Sequence, residues 1–127
     1  MARLLLVEDD ADQLELRRLI LEHAGHRVWT ASSPQAALDA FGEACPSVVV
    51  TDLRLPRSED GLSLIRALRL RSSAVRIVVL SGAEVGAGAP TGLDQADLHL
   101  KKPVSSQELA DLIRKLACDS MGGESGA

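Results

Sequence analysis

The chain has 127 residues, 46% of them hydrophobic and 25% charged, with a formal net charge of −4; that is the size and balance of one globular domain around one core. An acidic balance gives no reason to expect a nucleic-acid surface, no apolar run approaches the length of a membrane span, and strand signals beginning within three residues of Met1 leave no room for a signal peptide. A cytoplasmic location is the expectation. With Phe41 and Trp29 as the only large aromatics, the core has to be aliphatic.

Leu4 to Val7 is a short unbroken apolar run, as a strand buried on both faces requires. It leads into Glu8-Asp9-Asp10, and Asp10 stands where a first helix needs its cap. Leu16, Leu19, Ile20 and Ala24 recur behind it at helical spacing, and Gly25 is placed to end that helix. Val28 to Ala31 is a weaker strand signal, suited to a sheet edge. Ser33-Pro34 reads as a cap followed by proline at the first turn of a second helix, which buries Ala37, Leu38 and Phe41.

Val48 to Val50 is the next unbroken run, and it ends through Thr51 at Asp52. A third helix opens at Asp60-Gly61 and buries Leu64, Ile65 and Leu68. Arg66, Arg69, Arg71 and Arg76, around its end, read as a solvated helix face favoured by the helix dipole. Ile77 to Leu80 is a further buried strand, followed by Ser81. The segment from Glu84 to Gly92 carries three glycines and a proline, all unfavourable in a helix interior. A fourth helix is therefore expected to be short or irregular, confined to the stretch between Thr91 and Ala96.

Leu98 to Leu100 is a second edge-type strand and runs into Lys101-Lys102-Pro103. Ser105-x-x-Glu108 is a capping box that opens the last helix, with Leu109, Leu112, Ile113 and Leu116 on its buried face. Cys45 and Cys118 have neither metal-ligand nor redox spacing and read as small buried hydrophobes. The Gly/Ser-rich end predicts a domain over residues 1–118 and a flexible tail over 119–127. Five βα units joined by right-handed crossovers make an α/β fold, a parallel sheet with helices on both faces.

The chemistry-bearing residues collect at one end of those strands. Glu8, Asp9 and Asp10 leave the first, Asp52 the third, Ser81 the fourth and Lys102 the fifth; ligands bind open parallel sheets at these carboxyl ends. Two carboxylates about 4 Å apart at an effective dielectric near 20 repel by roughly 4 kcal/mol. A shared proton or a divalent cation removes that cost, and an open, all-oxygen, carboxylate-rich site favours Mg2+. Asp52 is then a candidate nucleophile forming an acyl phosphate, with the metal, Lys102 and the Ser81 hydroxyl meeting the charge of the phosphoryl oxygens.

Leu6-Val7-Glu8-Asp9-Asp10, Val50-Thr51-Asp52-Leu53-Arg54-Leu55-Pro56, Val79-Leu80-Ser81-Gly82 and Lys101-Lys102-Pro103, in that order, resemble the response regulator receiver domain of two-component signalling. The resemblance runs from residue 3 to about 117. It implies a flavodoxin-like three-layer αβα sandwich with a five-stranded parallel sheet of order 2-1-3-4-5. It implies Asp52 as phosphoacceptor for a sensor histidine kinase or histidine phosphotransfer protein. It assigns Mg2+ to Asp9, Asp52 and the Arg54 backbone carbonyl, with Glu8 acting through water. Ser81 becomes the switch hydroxyl, Lys102 the lysine partner of the phosphoryl group, and His99 falls at the position of a switch aromatic. The implied function is a phosphorylation-dependent switch that catalyses only its own phosphorylation and dephosphorylation, changes its binding to a downstream protein, and is a monomer or weak dimer.

Departures from the family pattern are local. Arg57-Ser58-Glu59-Asp60-Gly61 is one residue longer than usual, Gly82 replaces a commoner alanine, Val104 replaces a frequent phenylalanine, and the glycine-rich fourth-helix segment alters a face used for dimerisation and output. Three alternatives stand beside the lone switch. The chain can be the receiver part of a longer DNA-binding or enzymatic regulator, or a pseudo-receiver that only binds partners. A haloacid-dehalogenase-like phosphatase also uses Asp, Ser/Thr and Lys at strand ends, but Asp10-Ala11-Asp12-Gln13 does not complete its Asp-x-Asp-x-Thr/Val pattern.

Overall fold

A computed structural model describes residues 3–52, 58–72, 74–81, 96–101 and 105–125. Five strands and, among the described residues, four helices follow one another as β1 (Arg3–Val7), α1 (Ala11–His23), β2 (Arg27–Ala31), α2 (Pro34–Ala44), β3 (Val48–Asp52), α3 (Ser58–Arg71), β4 (Arg76–Ser81), β5 (Leu98–Lys101) and α4 (Ser106–Ser125). The sheet is wholly parallel in the order β2-β1-β3-β4-β5. This is the three-layer arrangement expected. Alternation along the strands divides the interior in two. Leu5, Val7, Val49, Ile77 and Val79 face Ala37 of α2 and Leu64, Ile65 and Leu68 of α3. Leu4, Leu6, Val48, Val50, Val78 and Leu80 face Leu21 of α1 and Leu109, Ala110 and Ile113 of α4. The runs Leu4 to Val7 of β1, Val48 to Val50 of β3 and Ile77 to Leu80 of β4 are apolar without interruption because both faces are covered.

Helix ends form where short polar residues and glycine prescribe them. The Asp10 carboxylate accepts from the Asp12 and Gln13 amides at 3.0 and 3.2 Å. Ser33 accepts from Ala36 at 3.1 Å with Pro34 in the first turn, and Ser105 accepts from Glu108 at 3.0 Å. Gly25, at φ +101°, closes α1. Its amide donates to Glu22 and that of His26 to Leu21, at 3.0 and 3.2 Å, the paired bonds of a Schellman turn.

Several expectations need correction. The buried face of α1 is not Leu16, Leu19, Ile20 and Ala24: Leu16 and Leu19 are 51% and 52% exposed and Ala24 is exposed. Leu14, Arg17 and Leu21, spaced three and four residues apart, turn inward instead. Two apolar stripes compete on this helix, and the position of Arg17 decides between them, as described below. The arginines around α3 do more than meet solvent. Arg69 donates to the Val75 carbonyl at 2.8 Å and to Asp97 at 3.0 Å, Arg71 to the Leu38 carbonyl at 3.0 Å, and Arg76 to Asp97 at 3.4 Å.

Cys45 is exposed, not buried. It caps α2 in the left-handed region, at φ 45°, where the chain turns out of the helix. Helix α3 starts at Ser58, ahead of Asp60-Gly61, and α4 continues to Ser125. The stretch from residue 119 to 125 is thus helical backbone, where its composition predicts an irregular tail, even though each of Gly122 and Gly123 costs about 1 kcal/mol relative to alanine in a helix. The expected short or irregular fourth helix between Glu84 and Ala96 lies outside the described residues, apart from Ala96, and so does the side chain of Cys118.

His26 is 6% exposed, with Nε2 3.4 Å from the Ala110 carbonyl. Burial lowers its pKa below the ordinary value, against the pull of that carbonyl, and the charge of Arg114 adds to the lowering. The folded protein therefore keeps His26 neutral at a pH where the unfolded chain is protonated. Its contribution to stability is complete above about pH 6.5 and is lost as pH falls through the folded-state value. His26→Phe is expected to flatten the acid limb of the stability curve, measured by urea denaturation across pH; an unchanged slope refutes the assignment.

Asp97 accepts from the Ile77 amide at 2.7 Å as well as from Arg69 and Arg76, and so fixes the start of the β4–β5 pair. Asp97→Ala is expected to cost about 1–3 kcal/mol in chemical denaturation. Asp97→Asn, which keeps an acceptor for Ile77, should recover part of that loss.

Candidate functional site

Strands β1 and β3 lie side by side, with Val7 in register with Thr51. Residues 8 and 9 therefore leave the sheet next to Asp52, the last residue of β3. The Glu8 amide still donates to Ala31 of β2 at 3.1 Å, which holds the chain against the sheet for one more residue. Glu8 and Asp52 are 3% and 2% exposed, while Asp9 is exposed. One carboxylate oxygen from each of the three lies within 4.8 Å of the others. Thr51, also buried, donates its hydroxyl to the Asp52 carbonyl at 2.9 Å.

Gathering carboxylates out of water has an electrostatic cost that the titration of Glu8 records. Its pKa is pushed up to about 7, first by burial and then by its hydrogen bond to Asp52 and that residue's charge. The Asp10 amide and the Arg17 charge pull it down without prevailing. A cation drawn into the cluster would relieve that cost.

Arg17 is the residue that sequence reasoning missed. From the second turn of α1 its side chain, 10% exposed, places Nη1 2.8 Å from Glu8 Oε2 and 3.8 Å from Asp52 Oδ1. A charged residue flanked by Leu14 and Leu21 on one helical face was the available signal. It points inward only because carboxylates wait there.

The structure brings Glu8, Asp9 and Asp52 together as the sequence suggested. Ser81 ends β4, one residue beyond Leu80, the register partner of Asp52, and its backbone pairs with Lys101. The Ser81 side chain lies outside the described residues, as do Lys102 and Arg54. His99 is exposed on β5 in register with Val79, two residues short of Ser81 along the neighbouring strand. A set of three carboxylates, one of them open to water, suits a hard divalent cation such as Mg2+, which takes oxygen ligands and keeps several waters.

Residues 4–114 match the family model of the response regulator receiver domain. The response regulator MprA of Mycolicibacterium vanbaalenii is 35% identical over 98% of the chain, which spans 56% of that protein's length. A response regulator receiver domain protein from Clostridium thermocellum is 28% identical, with a TM-score of 0.76 covering 91% of this chain and 94% of that one. The response regulator TrrA from Thermotoga maritima, solved in complex with Mg(2+)-BeF, is 25% identical, with a TM-score of 0.79 over 91% of this chain and 99% of its own. No helix among the described residues is long and apolar enough to cross a membrane. The chain belongs to the response regulator receiver domain family.

Proposed function

We propose that Asp52 accepts a phosphoryl group from the phosphohistidine of a sensor histidine kinase or a histidine phosphotransfer protein. A carboxylate oxygen of Asp52 forms a bond to phosphorus as the phosphorus–nitrogen bond breaks, its electron pair returning to the imidazole. The observation that carries this reading is the meeting of Glu8, Asp9 and Asp52 within 4.8 Å at the carboxyl ends of two adjacent strands. Mg2+ would be held by Asp9, Asp52 and the Arg54 backbone carbonyl, with Glu8 reached through water. Bound there, it would supply positive charge to the phosphoryl oxygens. Lys102 would pair with one of those oxygens and the Ser81 hydroxyl would donate to another, while His99 follows as a switch side chain.

The domain proper is proposed over residues 1–118, with α4 running on past it to Ser125, and its output is altered binding to a downstream protein, as a monomer or weak dimer in the cytoplasm. Beyond transfer to and loss from Asp52 no catalysis is assigned. Because the chain spans about half of its curated relative MprA, an attached DNA-binding or enzymatic domain is a second reading, settled by the length of the open reading frame.

Incubation with acetyl phosphate and Mg2+ followed by intact mass measurement is expected to give one added phosphoryl group. The adduct should vanish in Asp52→Asn and in the presence of a chelator. An unmodified wild-type protein, or an adduct that survives Asp52→Asn, overturns the assignment.

A further inference from the structure

Both oxygens of Glu8 are engaged. Oε1 accepts from the Asp10 amide at 3.2 Å and Oε2 from Arg17 at 2.8 Å. Fully ionised, the three clustered carboxylates carry three negative charges, and Arg17 cancels one of them from a position that is itself 8% exposed. A guanidinium cannot give up its proton, so this positive charge is permanent. Its place is not incidental to α1, because Leu14 and Leu21 on the same face anchor the helix against the sheet. We propose that Arg17 is a resident counter-charge of the acidic site: it holds Glu8, neutralises part of the cluster when no divalent cation is bound, and sets the affinity for that cation lower than the three carboxylates alone would give.

The inference rests on reading the cluster as a divalent-cation site and adds a residue to it. Two consequences follow from charge alone. A cation entering beside Asp9 and Asp52 meets repulsion from Arg17 a few ångströms away and finds Glu8 already hydrogen-bonded. Removing the guanidinium exchanges a protein held together without metal for one that depends on metal.

Isothermal titration of wild type, Arg17→Gln and Arg17→Lys with Mg2+ alone tests this. Arg17→Gln is expected to bind Mg2+ roughly tenfold more tightly, since it removes a permanent positive charge beside a doubly charged cation. Arg17→Lys, which keeps the charge, should stay close to wild type. Arg17→Gln should also melt lower than wild type in chelator and gain more from added Mg2+, as linkage requires. Equal Mg2+ affinity in wild type and Arg17→Gln overturns the inference alone; binding by neither protein sinks the divalent-site reading and the inference with it.

If Arg17→Gln does not fold without metal, the wild-type protein decides the matter. Its Arg17 Nε resonance, identified by its absence from the spectrum of Arg17→Lys, is expected to shift as Mg2+ saturates the site. A resonance that stays in place while Mg2+ binds overturns the proposal.

Discussion

Like charge confined at the edge of an apolar sheet is the constraint on which the rest of this structure depends. Two strands with no polar residue between Leu4 and Val7 or between Val48 and Val50 deliver Glu8 and Asp52 to adjoining positions, each almost fully buried. Water cannot screen them there, so the protein has to answer their charge itself. It does so in two ways at once: the Glu8 proton is held up to about 7, and Arg17 is drawn in from α1. Asp9, next in the chain, is exposed and leaves the cluster open on one side.

The sheet makes that concentration of charge tolerable because its interior asks nothing further of the polar residues. Each face is closed by a helix pair whose fully buried hydrophobic side chains are aliphatic or alanine, α2 and α3 on one side and α1 and α4 on the other. Polar fastening is displaced to the periphery. Asp97 with Arg69 and Arg76 secures the amino ends of β4 and β5, and the Arg3 guanidinium donates to the Ala44 carbonyl at 2.7 and 2.9 Å beneath β1. Arg3 and Arg27 also cover the ring of Trp29 from 5.0 and 5.3 Å. The amino ends of the strands therefore carry ion pairs and cation–π contacts that stabilise, and the carboxyl ends carry the clustered carboxylates.

What could be read from sequence follows the range of the interactions involved. Strands buried on both faces announce themselves by unbroken apolar runs, and caps such as Asp10, Ser33 and Ser105 act within three residues of their own position. Gly25 is legible for the same reason, since the left-handed turn it supplies is a property of one residue. The carboxylates of the candidate site were legible because strand ends place them. The errors lie where a residue is positioned by something distant in the chain. Arg17 is held by Glu8 and, more distantly, by Asp52, at the ends of two strands, and Arg69 and Arg76 are held by Asp97. Cys45 was misjudged because burial depends on where a helix ends, not on the hydrophobicity of the side chain.

The error on α1 is the most instructive, because it links the site to the outer surface. Leu16, Leu19 and Ile20 form an apolar stripe as good as that of Leu14 and Leu21, so hydrophobicity alone leaves the rotation of the helix undecided. Arg17 breaks the tie. Turning it toward Glu8 and Asp52 fixes the helix by about one residue's rotation, roughly 100° on a 3.6-residue repeat, and leaves Leu16 and Leu19 half-exposed. The apolar area left in water costs on the order of 25 cal/mol for each Å2, and stranding two buried carboxylates without a cation costs several kcal/mol. With burial balanced between the two stripes, electrostatics at the sheet edge decides the rotation. The charge state of the acidic cluster and the side that α1 presents to solvent are consequences of one placement, that of Arg17.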